Sequence, residues 1–288
     1  MLTGLLRLFA RLPLPWLHAA GTALGWLVYL SAPSYAARLR ENLLQSRVWQ
    51  DEEAFRRILH ANVVESGKAV AELPAVWFRP RPETAAWVQD VQGWDGVERA
   101  RAQGHGLILL TPHLGCFEII PQYLTERFAL TVLYRPPHFA ALAPAMRAGR
   151  ERPGLQLAST DVSGVRLLLK ALKRGEAIGI LPDQVPGAGE GEWAPFFERQ
   201  AYTMTLASRL SESTGAPVLL TYAIRLPQGH GYRLHFEPMP AAQPGESAGR
   251  WLNRALESII RRHPAQYLWS YNRYKSPAGA SAPQESSA

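Results

Sequence analysis

The chain has 288 residues, 47% of them apolar and 19% charged, which is enough to bury a substantial core and too apolar for a disordered chain. Its single cysteine, Cys116, excludes an intrachain disulfide framework and a cysteine-rich zinc site. The net charge of +7 suits an anionic partner, whether nucleic acid, an anionic membrane or an acidic carrier, and does not choose among them.

Between Leu12 and Ala32 there is no Asp, Glu, Lys or Arg. About 20 such residues can cross a bilayer as a helix, so residues 1–35 read as an N-terminal membrane-anchoring helix. Pro13 and Pro15 mark its start, and Trp16, Trp26 and Tyr29 carry rings suited to the headgroup level. Gly21 and Gly25 form a small-xxx-small pair fit for a helix–helix contact. Two other readings stay open: a cleavable signal peptide, with alanines near Ser31, and a helix lying in the membrane interface, because the stretch is only moderately apolar. Arg38, Arg40, Arg47, Arg56 and Arg57 follow it, against Arg7 and Arg11 before it. The positive-inside rule then puts the body of the chain in the cytoplasm, and one unpaired cysteine agrees with a reducing compartment.

Residues 36–79 have helical spacing through Phe55, Ile58, Leu59, Val63 and Val70, with a break expected at Pro74 and an end at Pro80 and Pro82. Strand-length apolar runs follow at Leu107–Thr111, Leu130–Tyr134, Ile178–Leu181 and Val218–Ile224. Helix-like stretches lie at roughly 117–126, 140–149, 162–174 and 201–213. This alternation predicts an α/β fold with a largely parallel central sheet flanked by helices. Tyr232–Phe236 reads as a late strand, paired as a hairpin with the run near residue 220 across Pro227–Gly231. A last helix is expected over 248–262, then a short apolar run at Tyr267–Tyr271. The globular body is thus 36–275, and the Ser/Ala/Pro-rich residues 276–288 read as a disordered tail. There is no GxGxxG or Walker A sequence to support nucleotide binding, and no motif accompanies the charge to support nucleic acid.

The segment LILLTPHLGCFEII carries the chemistry. The strand Leu107–Thr111 delivers His113 to its carboxyl end, where reactive groups gather in open α/β sheets. Glu118 follows in or near the first turn of a helix. On one continuous helix the two side chains would point about 140° apart, but a loop at Gly115 lets the carboxylate reach the ring. His113 can take a proton at neutral pH, and Glu118 on its other nitrogen would fix the tautomer. The pair needs a hydroxyl, from protein or from substrate. Histidine and glutamate also fall at this spacing by chance. Cys116 is a second candidate nucleophile, although a small buried thiol more often packs as an apolar side chain. His113, Glu118 and His138 lack metal-ligand spacing.

Four further blocks follow in order: Val132-Leu133-Tyr134-Arg135-Pro136-Pro137; GEAIGILPDQ from Gly175 to Gln184; Ala194-Pro195-Phe196-Phe197, leading to Ala201 and Thr203; and Gln266-Tyr267-Leu268-Trp269, followed by Arg273 and Lys275. With the His-x4-Glu segment they resemble the glycerolipid and lysophospholipid acyltransferase superfamily, and most closely the late lauroyl and myristoyl transferases of lipid A biosynthesis in Gram-negative bacteria. The resemblance covers residues 20–275. Two departures stand out. Glu198 replaces the small residue frequent after Phe197, and Ser270-Tyr271-Asn272-Arg273 stands where paired arginines are frequent after Trp269.

The resemblance implies an O-acyltransferase at the bacterial inner membrane with its catalytic domain on the cytoplasmic side. Acyl carrier protein would donate the chain, and a hydroxyl of a lipid A precursor would accept it. His113 would be the general base and Glu118 its orienter, with no acyl-enzyme, metal, nucleotide or other cofactor. Arg135 is the candidate for anionic groups. Asp183 would hold Arg135 or a substrate hydroxyl, or cap a turn. Phe196 and Phe197 would line an acyl channel or fill core, and Thr203 would cap the following helix. Arg147, Arg150, Arg152, Arg166, Lys170, Lys173 and Arg174 would meet the acidic carrier or phosphorylated headgroups, or form a solvated face. The same chemistry on another lysophospholipid or glycolipid is the alternative. So is a non-catalytic lipid-binding protein.

Overall fold

A computed structural model describes residues 2–135 and 143–281. Pro136, Pro137, His138, the start of the helix expected over 140–149 and the tail from residue 282 lie outside the described residues. Strand β2 (Leu107–Leu110) is apolar and buried at every position, the pattern of a strand covered on both faces. It lies near the middle of a seven-stranded sheet ordered β1-β9-β8-β2-β5-β3-β4, where β1 is Val88–Gln92, β3 Leu130–Tyr134, β4 Leu155–Ser159, β5 Ala177–Ile180, β8 Val218–Arg225 and β9 Tyr232–Pro238. Every neighbouring pair is parallel except the β8–β9 hairpin. Alternation along β2 splits the core: Leu107 and Leu109 join one cluster, Ile108 and Leu110 the other.

Two sequence expectations fail locally. Residues 199–204 form strand β7 (Arg199–Met204), paired with β6 (Gly191–Phe196), and the helix expected from 201 begins at Leu206 as α10 (Leu206–Thr214). Thr203 therefore caps nothing. Its hydroxyl accepts from Asn253 and Arg273 inside the core. Between the two strands Phe197 and Glu198 both have positive φ, at 47° and 64°, the backbone of a tight hairpin turn. A small residue after Phe197 would meet that demand with less strain. Pro74 does not end the fourth helix, α4 (Glu52–Phe78). The carbonyl that Pro74 leaves unpaired belongs to Val70, which is exposed.

The N-terminal helices are α1 (Leu2–Phe9), α2 (Leu14–Ser31) and α3 (Pro33–Ser46). Helix α2 lies against α4 through the expected glycines. A Cβ on Gly25 would stand 2.2 Å from the Val63 carbonyl oxygen, and one on Gly67 would stand 2.0 Å from that of Gly21. Among the described residues no helix is long and apolar enough to cross a membrane. Instead α2 shows a stripe of exposed Trp16, Ala20, Ala23, Leu27 and Leu30, spaced as one face of a helix. Trp26 points elsewhere, edge-on to His60 of α4 at 5.4 Å.

A buried ion group ties these helices to the sheet. Arg225 of β8 donates to both oxygens of Glu72 of α4, the shortest contact being 2.6 Å. The Tyr232 hydroxyl donates to the same carboxylate at 2.9 Å, and His18 of α2 lies 3.2 Å from it. Burial pushes the Glu72 carboxyl up, but the Arg225 charge and the hydrogen bonds from His18 and Arg225 bring it down to about 2. The folded value lies below the unfolded one, so this contribution is fully present above about pH 4.3 and is lost as pH falls toward the folded value. Arg225→Met, which strands a buried carboxylate, is expected to cost about 3–5 kcal/mol in urea unfolding at neutral pH. Glu72→Gln is expected to remove the acid-side loss of stability that this carboxyl causes.

Candidate active site

Strands β2 and β5 are hydrogen-bonded neighbours, and the ladder continues past β2 as Thr111 N–H donates to the Ile180 carbonyl at 2.9 Å. Their outgoing loops therefore run side by side, bringing His113 to Asp183 and Gln184. The Asp183 carboxylate accepts twice from His113: from its backbone N–H at 2.9 Å and from ring Nδ1 at 2.8 Å. Asp183 is buried, which pushes its carboxyl up. The charge of His113 and the hydrogen bonds from its ring and backbone outweigh this and hold it below the usual carboxylate range. An ionised Asp183 places the proton on Nδ1 and leaves the lone pair on Nε2. The Gln184 amide nitrogen lies 3.2 Å from that Nε2.

Glu118 is not on the ring. Its carboxylate accepts from Arg150 Nε at 3.1 Å and from Arg150 Nη2, and from Trp77 Nε1 at 3.1 Å. Burial lowers the Arg150 pKa, and the Glu118 charge and hydrogen bonds raise it by more. The loop at Gly115 forms as expected, with φ 62°, but it turns Glu118 away from His113. Gly115 is pressed so closely on β8 that a Cβ would meet the Ala223 carbonyl oxygen at 1.8 Å, and Cys116 N–H donates to that oxygen at 2.9 Å. The Cys116 thiol is buried, and burial together with the Glu72 charge pushes it well above its ordinary value, so it offers no thiolate.

Beside the histidine is a narrow, partly open slot with a cavity volume of about 40 Å³, well below the roughly 300–1,000 Å³ of pockets that enclose a whole ligand. Thr111, Phe117, Glu118 and Arg150 line it together with apolar residues that include Leu109, Ile120, Leu124, Leu130, Val132 and Leu155. The Phe117 ring lies 4.8 Å from that of His113. Phe196 and Phe197 are absent from this lining. Both belong to the core cluster on the other face of the sheet, packed edge to face at 4.8 Å. Arg135 is exposed just past the end of β3, and Asp183 is engaged by His113 rather than by Arg135.

The loop is held from behind. Leu268 N–H donates to the His113 carbonyl, and Gly115 N–H donates to that of Gln266, both at 3.0 Å. The segment 265–271 that makes these bonds is fastened by two buried asparagines. Asn62 donates to the Ala265 and Tyr267 carbonyls, and Asn42 to those of Trp269 and Tyr271. Arg225 Nη2 donates to the Gly115 carbonyl at 2.8 Å. Of the basic run, Arg150 and Arg152 turn inward, Arg152 onto the Trp77 carbonyl. Arg166, Lys170 and Lys173 are exposed on helix α9 (Val162–Lys173).

A histidine with its proton fixed by a buried aspartate, at the carboxyl ends of a parallel sheet and beside an apolar slot, belongs to an α/β enzyme of acyl transfer. The chain belongs to the bacterial lipid A biosynthesis acyltransferase family, whose sequence profile matches residues 1–276. It is similar to the lipid A biosynthesis palmitoleoyltransferase of Escherichia coli (strain K12), 29% identical over 283 residues, 97% of this chain and 92% of that protein. It is also similar to the lauroyltransferase of the same organism, 27% identical over 276 residues, 94% of this chain and 89% of that one. A lipid A biosynthesis acyltransferase of Haemophilus influenzae is 25% identical over 271 residues, 92% of this chain and 86% of the relative.

Asp183→Asn is expected to lower kcat about 10³–10⁴-fold with little change in thermal stability, because the wrong tautomer is then held. Cys116→Ala is expected to stay within a fewfold of the parent. Steady-state kinetics of the two purified variants separate a histidine base from a thiol nucleophile.

Proposed function

We propose that the chain moves a saturated fatty acyl group from the thioester of acyl carrier protein to a hydroxyl of a lipid A precursor, on the cytoplasmic side of the bacterial inner membrane. The observation that carries the reading is the His113 imidazole, held on Nδ1 by Asp183, beside a slot of apolar side chains. The acceptor hydroxyl binds at His113 Nε2. As its oxygen attacks the thioester carbonyl carbon, its proton passes to Nε2. The carbon–sulfur bond then breaks, and the departing sulfur takes the proton from the imidazolium. Asp183 stabilises that imidazolium across Nδ1. Because the nucleophile belongs to the acceptor, no residue need be acylated and no cofactor enters.

In this reading Glu118 serves through Arg150. The pair sets a neutralised, rigid polar edge on the slot, and Arg150 can donate to the thioester or its developing oxyanion. The acyl chain enters among Leu124, Leu130, Val132 and Leu155 as these side chains part and widen the slot. Exposed Arg135, with Arg166, Lys170 and Lys173 of α9, meets the acidic carrier or lipid phosphates. The exposed stripe of α2 supports an interfacial seat, with Trp16, Leu27 and Leu30 in the lipid.

With labelled acyl carrier protein thioester and purified lipid A precursor, transfer is expected from the parent and a loss of at least 10³-fold from His113→Ala. Val132→Trp, which fills the slot, is expected to shift preference toward shorter acyl chains with kcat retained on those. Equal loss on all chain lengths would place the acyl group elsewhere.

A further inference from the structure

Two consecutive residues grip opposite nitrogens of one imidazole: Asp183 holds Nδ1 at 2.8 Å and the Gln184 amide lies 3.2 Å from Nε2. The ring has no spare hydrogen-bonding position. Asp183 takes the Nδ1 proton, so Nε2 is the acceptor and the amide must turn its N–H toward it. The amide is preorganised from both sides. Asp183 is fixed by its two bonds to His113, and Val185 N–H donates to the Tyr271 hydroxyl at 2.9 Å. The base is thus occupied where the acceptor hydroxyl has to bind.

We infer that Gln184 is a nucleophile-selecting residue: its amide caps His113 Nε2 until an acceptor with binding energy of its own displaces it, and so keeps water from the base. The inference rests on the reading of His113 as general base. Any nucleophile must break the same neutral hydrogen bond. At saturation a lipid acceptor has already displaced the amide through its extensive apolar contact, so its turnover does not carry that cost, whereas water, which brings no other contact, carries it in full. The step suppressed is hydrolysis. A proton of water goes to Nε2, its oxygen joins the thioester carbonyl carbon, the carbon–sulfur bond breaks, and the thiol leaves with the proton, giving a free fatty acid. One neutral hydrogen bond discriminates by about five- to tenfold.

The test uses the full chain in mixed micelles with labelled acyl carrier protein thioester. Free fatty acid is measured without acceptor, and transfer is measured with saturating lipid A precursor. Gln184→Ala is expected to raise the ratio of hydrolysis to transfer about five- to tenfold at an unchanged melting temperature, and adding His113→Ala should abolish the gain. Gln184→Glu, ionised, can only accept a hydrogen bond, so it should hold a proton on Nε2 and move the His113 titration, followed by NMR, upward from the parent's. A ratio within twofold of the parent in Gln184→Ala, or an unmoved titration in Gln184→Glu, would overturn the cap. Absence of transfer by the parent would instead overturn the proposed acceptor, and the titration would still judge the cap.

Discussion

A fully buried carboxylate and guanidinium must satisfy each other or the fold loses several kcal/mol, and in this chain that requirement falls on Glu72 and Arg225. Their pairing fixes more than two side chains. Glu72 also takes Tyr232 of β9 and His18 of α2, and the guanidinium reaches on to the Gly115 carbonyl. One charge pair therefore locks helices α2 and α4 to the sheet and holds the loop that carries His113. The helix with the exposed apolar stripe and the loop that carries His113 are thereby tied to one frame.

The rest of the site is built on the same frame. Gly115 is driven against the β8 backbone, and the segment 265–271 closes over the loop with two backbone hydrogen bonds. Asn42 and Asn62 spend their amides on that segment's carbonyls. These contacts position His113 without touching its ring. The ring is left to Asp183 and Gln184, which arrive on the loop that leaves the neighbouring strand β5. The apolar slot opens on one face of the sheet, while Phe196, Phe197 and the Arg273–Thr203–Asn253 contacts fill the other.

Much of this was legible in the sequence. The apolar runs of β2, β3, β5, β8 and β9 are strands, His113 stands at a strand end, and Gly115 makes the loop. The carboxylate that contacts the ring is the chief difference from the sequence expectation. Proximity in the chain favoured Glu118, whereas Asp183, 70 residues from His113, is brought there by the pairing of β2 with β5. Parallel pairing leaves no local signal, and only the order of strands in the sheet reveals the neighbour. The same reason hides the inward turn of Arg150, which reads as one more residue of a basic run. Strands β1 and β4 are partly exposed and weakly apolar, so no strand run marks them. Strand β7 was absorbed into the helix after it, because its buried face resembles a helix start when the turn at Phe197 and Glu198 contains no glycine.

The central proposal is that Asp183, not Glu118, sets the protonation of His113. It is tested most directly by ¹⁵N NMR of His113 at a pH where the imidazole is neutral. The proton should lie on Nδ1 in the parent and in Glu118→Gln, and should leave Nδ1 in Asp183→Asn. A parent ring protonated on Nε2, or a Glu118→Gln spectrum altered as much as that of Asp183→Asn, would contradict it.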